Sequence, residues 1–214
     1  MPLKLRRFDF DHNRQRMTKS FTQTESFLDL LNSISPLSSE FRLRLLAEVV
    51  NHKFKKNHLL LQPYETARRL YYVEEGFLRT YFISESGKIC TTWFLGKGDL
   101  VTSTSSFLTQ QPSQEFIEVL NDCKLQSITY KQLNDYYSDF GEGNQIGRIL
   151  IQKYYLLSEQ RAMLMRIETP ELRYKTAIHN LPTIEQLTSL TNLASYIGIS
   201  RETLSRLRSK NAKH

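Results

Sequence analysis

Residues 191–209 read TNLASYIGISRETLSRLRS, a stretch that predicts two short helices separated by a turn. Gly198 suits the left-handed conformation that ends a first helix, and Ser200 is a good N-cap for a second one. Ile199, between them, can fill the space where the two helices cross. Small and branched apolar residues at helical spacing supply the inward faces: Leu193, Ala194, Ile197, Leu204 and Leu207. The pattern predicts a helix-turn-helix.

The second helix of this motif presents a polar outer face that suits DNA. The N-terminal part of such a helix enters the major groove, so Arg201, Glu202 and Arg206 are placed to meet base edges. Arginine can donate two hydrogen bonds to guanine, and glutamate can accept one from cytosine. Hydroxyls and cations beside them are candidates for further DNA contacts, mainly to phosphates: Ser200, Thr203, Ser205, Arg208 and Lys210. The alternative is a solvated helix face with weak ion pairs.

Ahead of this motif the apolar pattern changes its period twice. Two short helical segments, broken at Ser35-Pro36, occupy residues 24–50. Short β-rich runs follow over residues 59–129, separated by turn signals such as Glu75-Gly76. Strands of this length at regular spacing are typical of an antiparallel barrel or roll.

The longest uninterrupted helical stretch covers residues 141–169. It carries a seam at alternating steps of four and three residues: Ile146, Leu150, Lys153, Leu157, Gln160, Leu164 and Ile167. Two interpretations are open, namely one helix packed on the roll or a parallel coiled coil with a second copy of the chain. The length of the pattern favours the coiled coil, so we expect a homodimer.

The net charge of +7 is located at the two ends of the chain. Residues 1–20 hold six basic and two acidic residues, residues 191–214 hold five and one, and the part between them has a net charge of −1. We therefore expect a basic tail over residues 1–21 and an anion-binding C-terminal element. Two cysteines and the lack of a membrane-length apolar run predict a reduced, cytoplasmic protein that does not contact membranes.

Three strings resemble the cyclic-AMP receptor and fumarate-nitrate regulator (Crp/Fnr) family of bacterial transcription regulators. GISRETLSRL at residues 198–207 resembles the recognition segment of that family. YYVEEGFLRTYFISESGKI at 71–89 and FLGKGDL at 94–100 are similar to its β-roll with glycine turns. By this resemblance Arg201, Glu202 and Arg206 occupy the three base-reading positions of the family.

The resemblance implies an α+β architecture in three parts. An antiparallel β-roll of the cyclic-nucleotide-binding type, a double-stranded β-helix, is expected as a sensor domain over residues 22–140. A dimerisation helix is expected at 141–169, and a helix-turn-helix domain at 170–214 that lacks room for a complete wing. The implied partners are double-stranded DNA, a second copy of the chain and RNA polymerase.

The nucleotide-binding cassette departs from the family. By resemblance, Gly98 with Asp99 and Ser113 with Gln114 stand where nucleotide-binding members keep Gly-Glu and Arg-Ser/Thr pairs. Residues 98–123 contain no Lys or Arg and have a net charge of −4. A desolvated phosphate needs a cation or aligned backbone amides, so we predict a degenerate cassette that binds neither cyclic AMP nor cyclic GMP. An effector of unknown chemistry stays possible.

The sequence therefore predicts a homodimeric regulator that reads a palindromic operator, with no catalytic residues, metal site or cofactor. Two distant cysteines cannot supply the four thiolates of an iron–sulfur cluster. Gly96-Lys97 also lacks the flanking residues of a phosphate-binding loop. The alternative is a ligand- or partner-binding sensory module whose helix-turn-helix no longer acts on DNA.

Overall fold

A computed structural model describes residues 26–211 of the chain, so the predicted basic tail at residues 1–21 lies outside the described part. Two short helices open it, α1 (Phe27–Ile34) and α2 (Ser39–Glu48). The side chain of Ser26 caps α1 by accepting from Asp29 N, and that of Ser38 caps α2 by accepting from Phe41 N. Each cap satisfies a backbone N–H that lacks a partner inside its helix.

The central part is the predicted antiparallel roll. Its strands are β1 (Val50–Phe54), β2 (Leu59–Leu61), β3 (Arg69–Ile83), β4 (Ile89–Gly96), β5 (Leu100–Val101) and β6 (Phe116–Thr129). The order in the sheet is β1-β6-β3-β4, with β2 paired to β6 and β5 paired to β3. Helix α3 (Thr104–Thr109) connects β5 to β6. All pairs are antiparallel, so the roll is confirmed.

The turn expected at Glu75-Gly76 does not form, because β3 runs through it as a single strand. Gly76 adopts a φ of 108°, and the pairing of β3 with β6 shifts register on both sides of it. A Cβ at Gly76 would collide with Cys123 of the neighbouring strand. The glycine therefore marks an irregularity where two strands approach closely.

Two helices follow the roll, α4 (Tyr130–Asp139) and α5 (Gly141–Arg166). A capping box starts α4, since Thr129 and Gln132 satisfy each other's backbone N–H groups. Helix α5 packs along the roll with Ile146, Lys153 and Leu164 buried. The seam residues thus pack against the same chain and not against a second copy. This agrees with the first of the two interpretations, in which one helix packs on the roll.

The outer face of α5 carries a second set of apolar residues, and these are exposed. Five large apolar side chains are exposed on this helix, and we call them the outer stripe: Ile151, Tyr155, Leu156, Met163 and Met165. Tyr155 is the most open of them, with 64% of its surface exposed.

The C-terminal part comprises four helices, α6 (Pro170–Asn180), α7 (Ile184–Leu187), α8 (Leu190–Ile197) and α9 (Arg201–Asn211). They share one core with Leu164 of α5 and with Phe77 and Phe94 of the roll. Over residues 26–211 none of the helices combines the length and apolar character needed to span a membrane.

Candidate nucleic-acid interface

Helices α8 and α9 form the predicted helix-turn-helix. Gly198 ends α8 with a φ of 68°, and a Cβ at this position would lie 2.7 Å from Cε of Met165. The Ser200 hydroxyl then caps α9 by accepting from Thr203 N at 3.1 Å. Leu204 is completely buried against α8, and Ile199 is buried between the two helices. Each local feature read from the sequence has the conformation that its chemistry favours.

The outer face of α9 leaves the predicted base-reading residues in solvent. Arg201, Glu202 and Arg206 are exposed, all within the first two turns. Hydrogen bonds from its own backbone N–H and from the Ser200 hydroxyl lower the pKa of Glu202. The carboxylate is therefore ionised and able to accept from a donor on a base.

The predicted additional contacts divide into two groups. Ser200, Ser205 and Lys210 are exposed on α9, and Thr203 is half-buried. Arg208 instead turns towards the domain, where its Nε lies 2.9 Å from Oε1 of Glu185. The two groups differ because Arg208 is within reach of a carboxylate on α7, whereas Lys210, two residues nearer the end of the helix, stays in solvent.

Polar side chains of α8 bond to the roll, and the sequence did not predict this contact. The Ser195 hydroxyl accepts from Thr91 N and donates to the Ile89 carbonyl, both at 2.8 Å. The Tyr196 ring packs on Phe94 with centroids 5.1 Å apart. Strand β4 is at the edge of the sheet, so Ser195 satisfies backbone groups that no strand pairs.

A buried arginine of the roll completes this contact. Arg79 is 7% exposed, and its Nε and Nη2 each lie 2.7 Å from Oε2 of Glu118. Its Nη1 donates to Oδ1 of Asn192 on α8 at 2.6 Å. The charge is therefore paired, and all three guanidinium nitrogens are engaged. The only sequence signal for it is a cation inside the apolar run FLRTYF.

Arg161 of α5 joins the same region from the other side. Its guanidinium donates to the carbonyl oxygens of Thr91, Thr92 and Tyr196, and lies 3.9 Å from the centroid of the Tyr196 ring. Burial lowers the pKa of Arg161. One side chain thus connects α5, β4 and the C-terminal end of α8, where carbonyl groups favour a cation.

The residues predicted for the effector cassette do not assemble around one point. Gly98 has a φ of 88°, and Oδ2 of Asp99 accepts from Gly96 N at 3.0 Å in the turn before β5. Burial raises the pKa of Asp99, while the Lys153 ammonium on α5 opposes this shift. Asp99 therefore faces Lys153 of α5. Lys153 is one of the two polar residues in the seam for which the sequence predicted a coiled coil.

Ser113 lies in a different network. Its hydroxyl donates to Ser103 Oγ at 3.0 Å, Ser103 Oγ donates to Oε2 of Glu115 at 2.8 Å, and Glu115 N donates back to Ser113. Gln114, the next residue, is exposed. The loop after α3 folds back to Ser103 rather than to Asp99, so the two predicted pairs are separated. A carboxylate, not a cation, stands at the centre of this network.

No group of three His, Cys, Asp or Glu side chains within residues 26–211 is arranged as metal ligands would be. The two cysteines, Cys90 and Cys123, are free, and burial raises the pKa of Cys123 to about 11. A buried thiol with a raised pKa is unreactive at neutral pH.

Comparison with known proteins agrees with this geometry. The family model described as cyclic nucleotide-binding domain matches residues 51–140. The anaerobic regulatory protein of Haemophilus influenzae is 25% identical over 182 residues, covering 79% of this chain and 70% of that protein.

Solved structures share the fold at lower identity. The c-di-GMP-responsive global regulator CLP of Xanthomonas campestris superposes with a TM-score of 0.64 at 19% identity, covering 82% of this chain and 92% of that one. A transcriptional regulator assigned to the Crp/Fnr family from Eubacterium rectale gives 0.67 at 18% identity, with coverages of 83% and 85%. Residues 51–140 therefore match the cyclic nucleotide-binding domain family, and the fold of the described residues is similar to that of these solved regulators.

Proposed function

We propose that this chain is a DNA-binding transcription regulator of the Crp/Fnr family, which acts as a homodimer, reads a palindromic operator through α9, and does not respond to cyclic AMP. The curated relative and the solved structures that the chain resembles are regulatory proteins. The observation that carries the proposal is the division of α9 into two faces. Leu204 is buried, while Arg201, Glu202 and Arg206 are exposed together near the N-terminal end that enters a major groove.

The outer stripe on α5 supports the homodimer. Ile151, Tyr155, Leu156, Met163 and Met165 are large apolar side chains exposed along one helix. Large apolar side chains left exposed along one helix are typical of an interface, and a second α5 presents the same chemistry. Two recognition helices related by a two-fold axis would then reach half-sites about 34 Å apart.

The network around Ser113 supports the lack of a cyclic AMP response. A cyclic phosphate needs a positive partner in a desolvated site, and a bidentate arginine is the strongest form of it. Here the family's arginine position is a serine whose hydroxyl is bonded to Ser103, beside the Glu115 carboxylate. An entering phosphate would meet negative charge and hydroxyls that already have partners.

Partners follow from the same proposal. Double-stranded DNA is bound by α9, and RNA polymerase is the machinery on which a regulator of this family acts. A small-molecule effector, where one exists, is recognised by chemistry other than that of a cyclic phosphate.

Selection from a random duplex pool tests DNA reading. The full chain should enrich a palindrome, and Arg201→Ala should relax preference at one base pair per half-site. Arg42→Ala on α2, far from α9 in the chain, is the matched control and should enrich the parental sequence. Salt-sensitive binding without sequence preference, equal in parent and variant, would favour the alternative of a sensory module that no longer acts on DNA.

Two measurements test the rest of the proposal. Sedimentation should give a dimer, and Tyr155→Glu should give a folded monomer because the charge would be buried in the interface. A monomeric parent would exclude the homodimer. Isothermal titration with cyclic AMP should show no binding, whereas saturable micromolar binding would overturn that part of the proposal.

A further inference from the structure

An apolar cavity of about 160 Å³ lies where the N-terminal helices, α3, α4 and the first half of α5 meet. Aromatic and branched side chains from several elements surround it, among them Phe27, Phe41, Phe107, Ile146 and Leu150. None of the described residues that line it is Lys, Arg, His, Asp or Glu. It is formed by the helices as well as the roll, and neither the Ser113 network nor Asp99 lines it.

The polar groups of the cavity are few and uncharged. Thr102 and Thr104 contribute hydroxyls, of which Thr102 already donates to the Arg69 carbonyl. Tyr154 accepts from Leu100 N at 2.6 Å, and its own hydroxyl proton remains available. Burial raises the pKa of Tyr137 and of Tyr154, so both phenols are neutral. An anion or cation entering here would lose its hydration without meeting an opposite charge.

The size of the cavity restricts what it can hold. Apolar cavities of about 150 Å³ lined by Leu, Ile and Phe stay free of water and bind a molecule the size of benzene. The volume here corresponds to a ligand of about six to ten non-hydrogen atoms. Cyclic nucleotides are more than twice that size as well as charged.

Helices α5 and α4 approach each other closely where α5 forms one wall of the cavity. A Cβ at Gly147 would lie 2.5 Å from Cε1 of the Tyr137 ring, and one at Gly143 would collide with the Tyr136 carbonyl. The two glycines therefore permit contact between the helices at the edge of the cavity. Six of the lining residues belong to α5. A ligand in the cavity would contact the same helix that reaches the DNA-binding part through Arg161.

We propose that this cavity is the effector site of the regulator and takes an uncharged aromatic or short aliphatic molecule of about six to ten non-hydrogen atoms. The binding itself is independent of the proposed function, and only the regulatory consequence rests on it. Occupation fills space between α5 and the helices beneath it, so it stabilises one position of α5 relative to the roll.

The test uses toluene and benzoate as probes on the full-length protein without DNA. They share an aromatic ring and differ in charge, so their comparison isolates the chemistry of the cavity. Toluene should give saturable chemical-shift changes in residues that line the cavity and should raise Tm, whereas benzoate at the same concentration should give neither. Absence of toluene binding, or equal binding of benzoate, would overturn the proposal.

Variants locate the site. Leu150→Trp should fill the cavity and remove the toluene response, while Leu43→Trp, the same change at a side chain that is 69% exposed on α2, should retain it. If Leu150→Trp does not fold, Leu108→Trp at the exposed rim of the cavity takes its place and should also remove the toluene response. A filled variant that still binds toluene as the parent does would place the site elsewhere. Because no DNA is present, failure of DNA reading would leave these results unchanged.

Discussion

Helices α8 and α9 are neighbours in one motif, yet they use their polar side chains in opposite ways. On α8, Asn192 and Ser195 bond to the roll. On α9, Arg201 and Arg206 remain in solvent. The roll therefore holds the motif through its first helix, whereas the outer face of the second helix stays in solvent.

This division has a consequence for how the two parts of the chain influence each other. In complexes with DNA the first helix of the motif crosses the phosphate backbone, so its polar face is part of the docking surface. Here that face is shared with an edge strand of the roll. Changes on the polar face of α8 should therefore alter the attachment between the parts, and changes on the exposed face of α9 should alter sequence reading alone.

The largest effect is expected for Arg79→Met, which breaks the attachment from the side of the roll. Removing the guanidinium leaves Glu118 without its cation and Asn192 without a donor. Loss of one partner of a buried ion pair costs about 3–5 kcal/mol in the free energy of unfolding. Urea denaturation measures it. Lys124→Met removes the cation of an exposed pair with Glu75 and should change little; equal effects of the two variants would contradict the role given to Arg79.

A smaller loss of stability is expected for Leu204→Ala, which removes the buried contact between α8 and α9. Truncating a fully buried leucine costs about 2–5 kcal/mol, and both helices should loosen. Hydrogen exchange should show faster exchange in α8 and α9 with little change in the roll. Leu172→Ala, at an exposed position of α6, is the control. Unchanged protection in α8 would show that the two helices are stabilised separately.

DNA binding provides the next comparison, between Arg206→Ala and Lys210→Ala. Loss of a base contact should cost about 1–3 kcal/mol of binding free energy and relax preference at one position. Loss of a phosphate contact should weaken the binding of all DNA sequences alike. It should also reduce the slope of log K against log salt concentration by about one. Binding curves on the selected operator and on single-base variants separate the two. Arg208 is the control, because its guanidinium pairs with Glu185. Arg208→Ala should change neither the base preference nor the salt dependence.

The last comparison makes the same substitution at the start of α9 and on α8, and it includes the smallest expected effect. Ser200→Ala removes the cap of α9 and should cost about 1 kcal/mol of stability. Ser195→Ala removes two hydrogen bonds to β4 and should have an effect of about 1–3 kcal/mol because Thr91 N loses its partner. Only Ser195→Ala should increase hydrogen exchange at the edge strand. If Ser200→Ala did so as well, the separation between the two helices would be refuted.

Local chemistry explains what could be predicted from the sequence. The turn at Gly198, the cap at Ser200 and the apolar faces depend on residues a few positions apart, so the helix-turn-helix was recognisable as a string. The roll was recognisable in the same way, from strand runs and turns. The resemblance to a family then placed both in one architecture.

What was missed depends on contacts between distant parts of the chain. Arg79 lies 39 positions from Glu118 and 113 from Asn192, and no local pattern relates them. The seam on α5 was assigned to a second copy because regular spacing does not say which surface a helix packs on. The effector residues were aligned by motif, whereas the loop after α3 carries Ser113 to Ser103.

Arg161 has a consequence for how the sequence can vary. All three of its acceptors are backbone carbonyl oxygens, at Thr91, Thr92 and Tyr196. Every amino acid provides such an oxygen, so substitutions at those three positions leave the acceptors in place. These three hydrogen bonds between α5, the roll and the helix-turn-helix therefore depend on the identity of the arginine and not on that of its acceptors. We expect related chains to vary more at Thr91 and Thr92 than at Arg161 itself, whereas Tyr196 also supplies the ring on which the guanidinium packs.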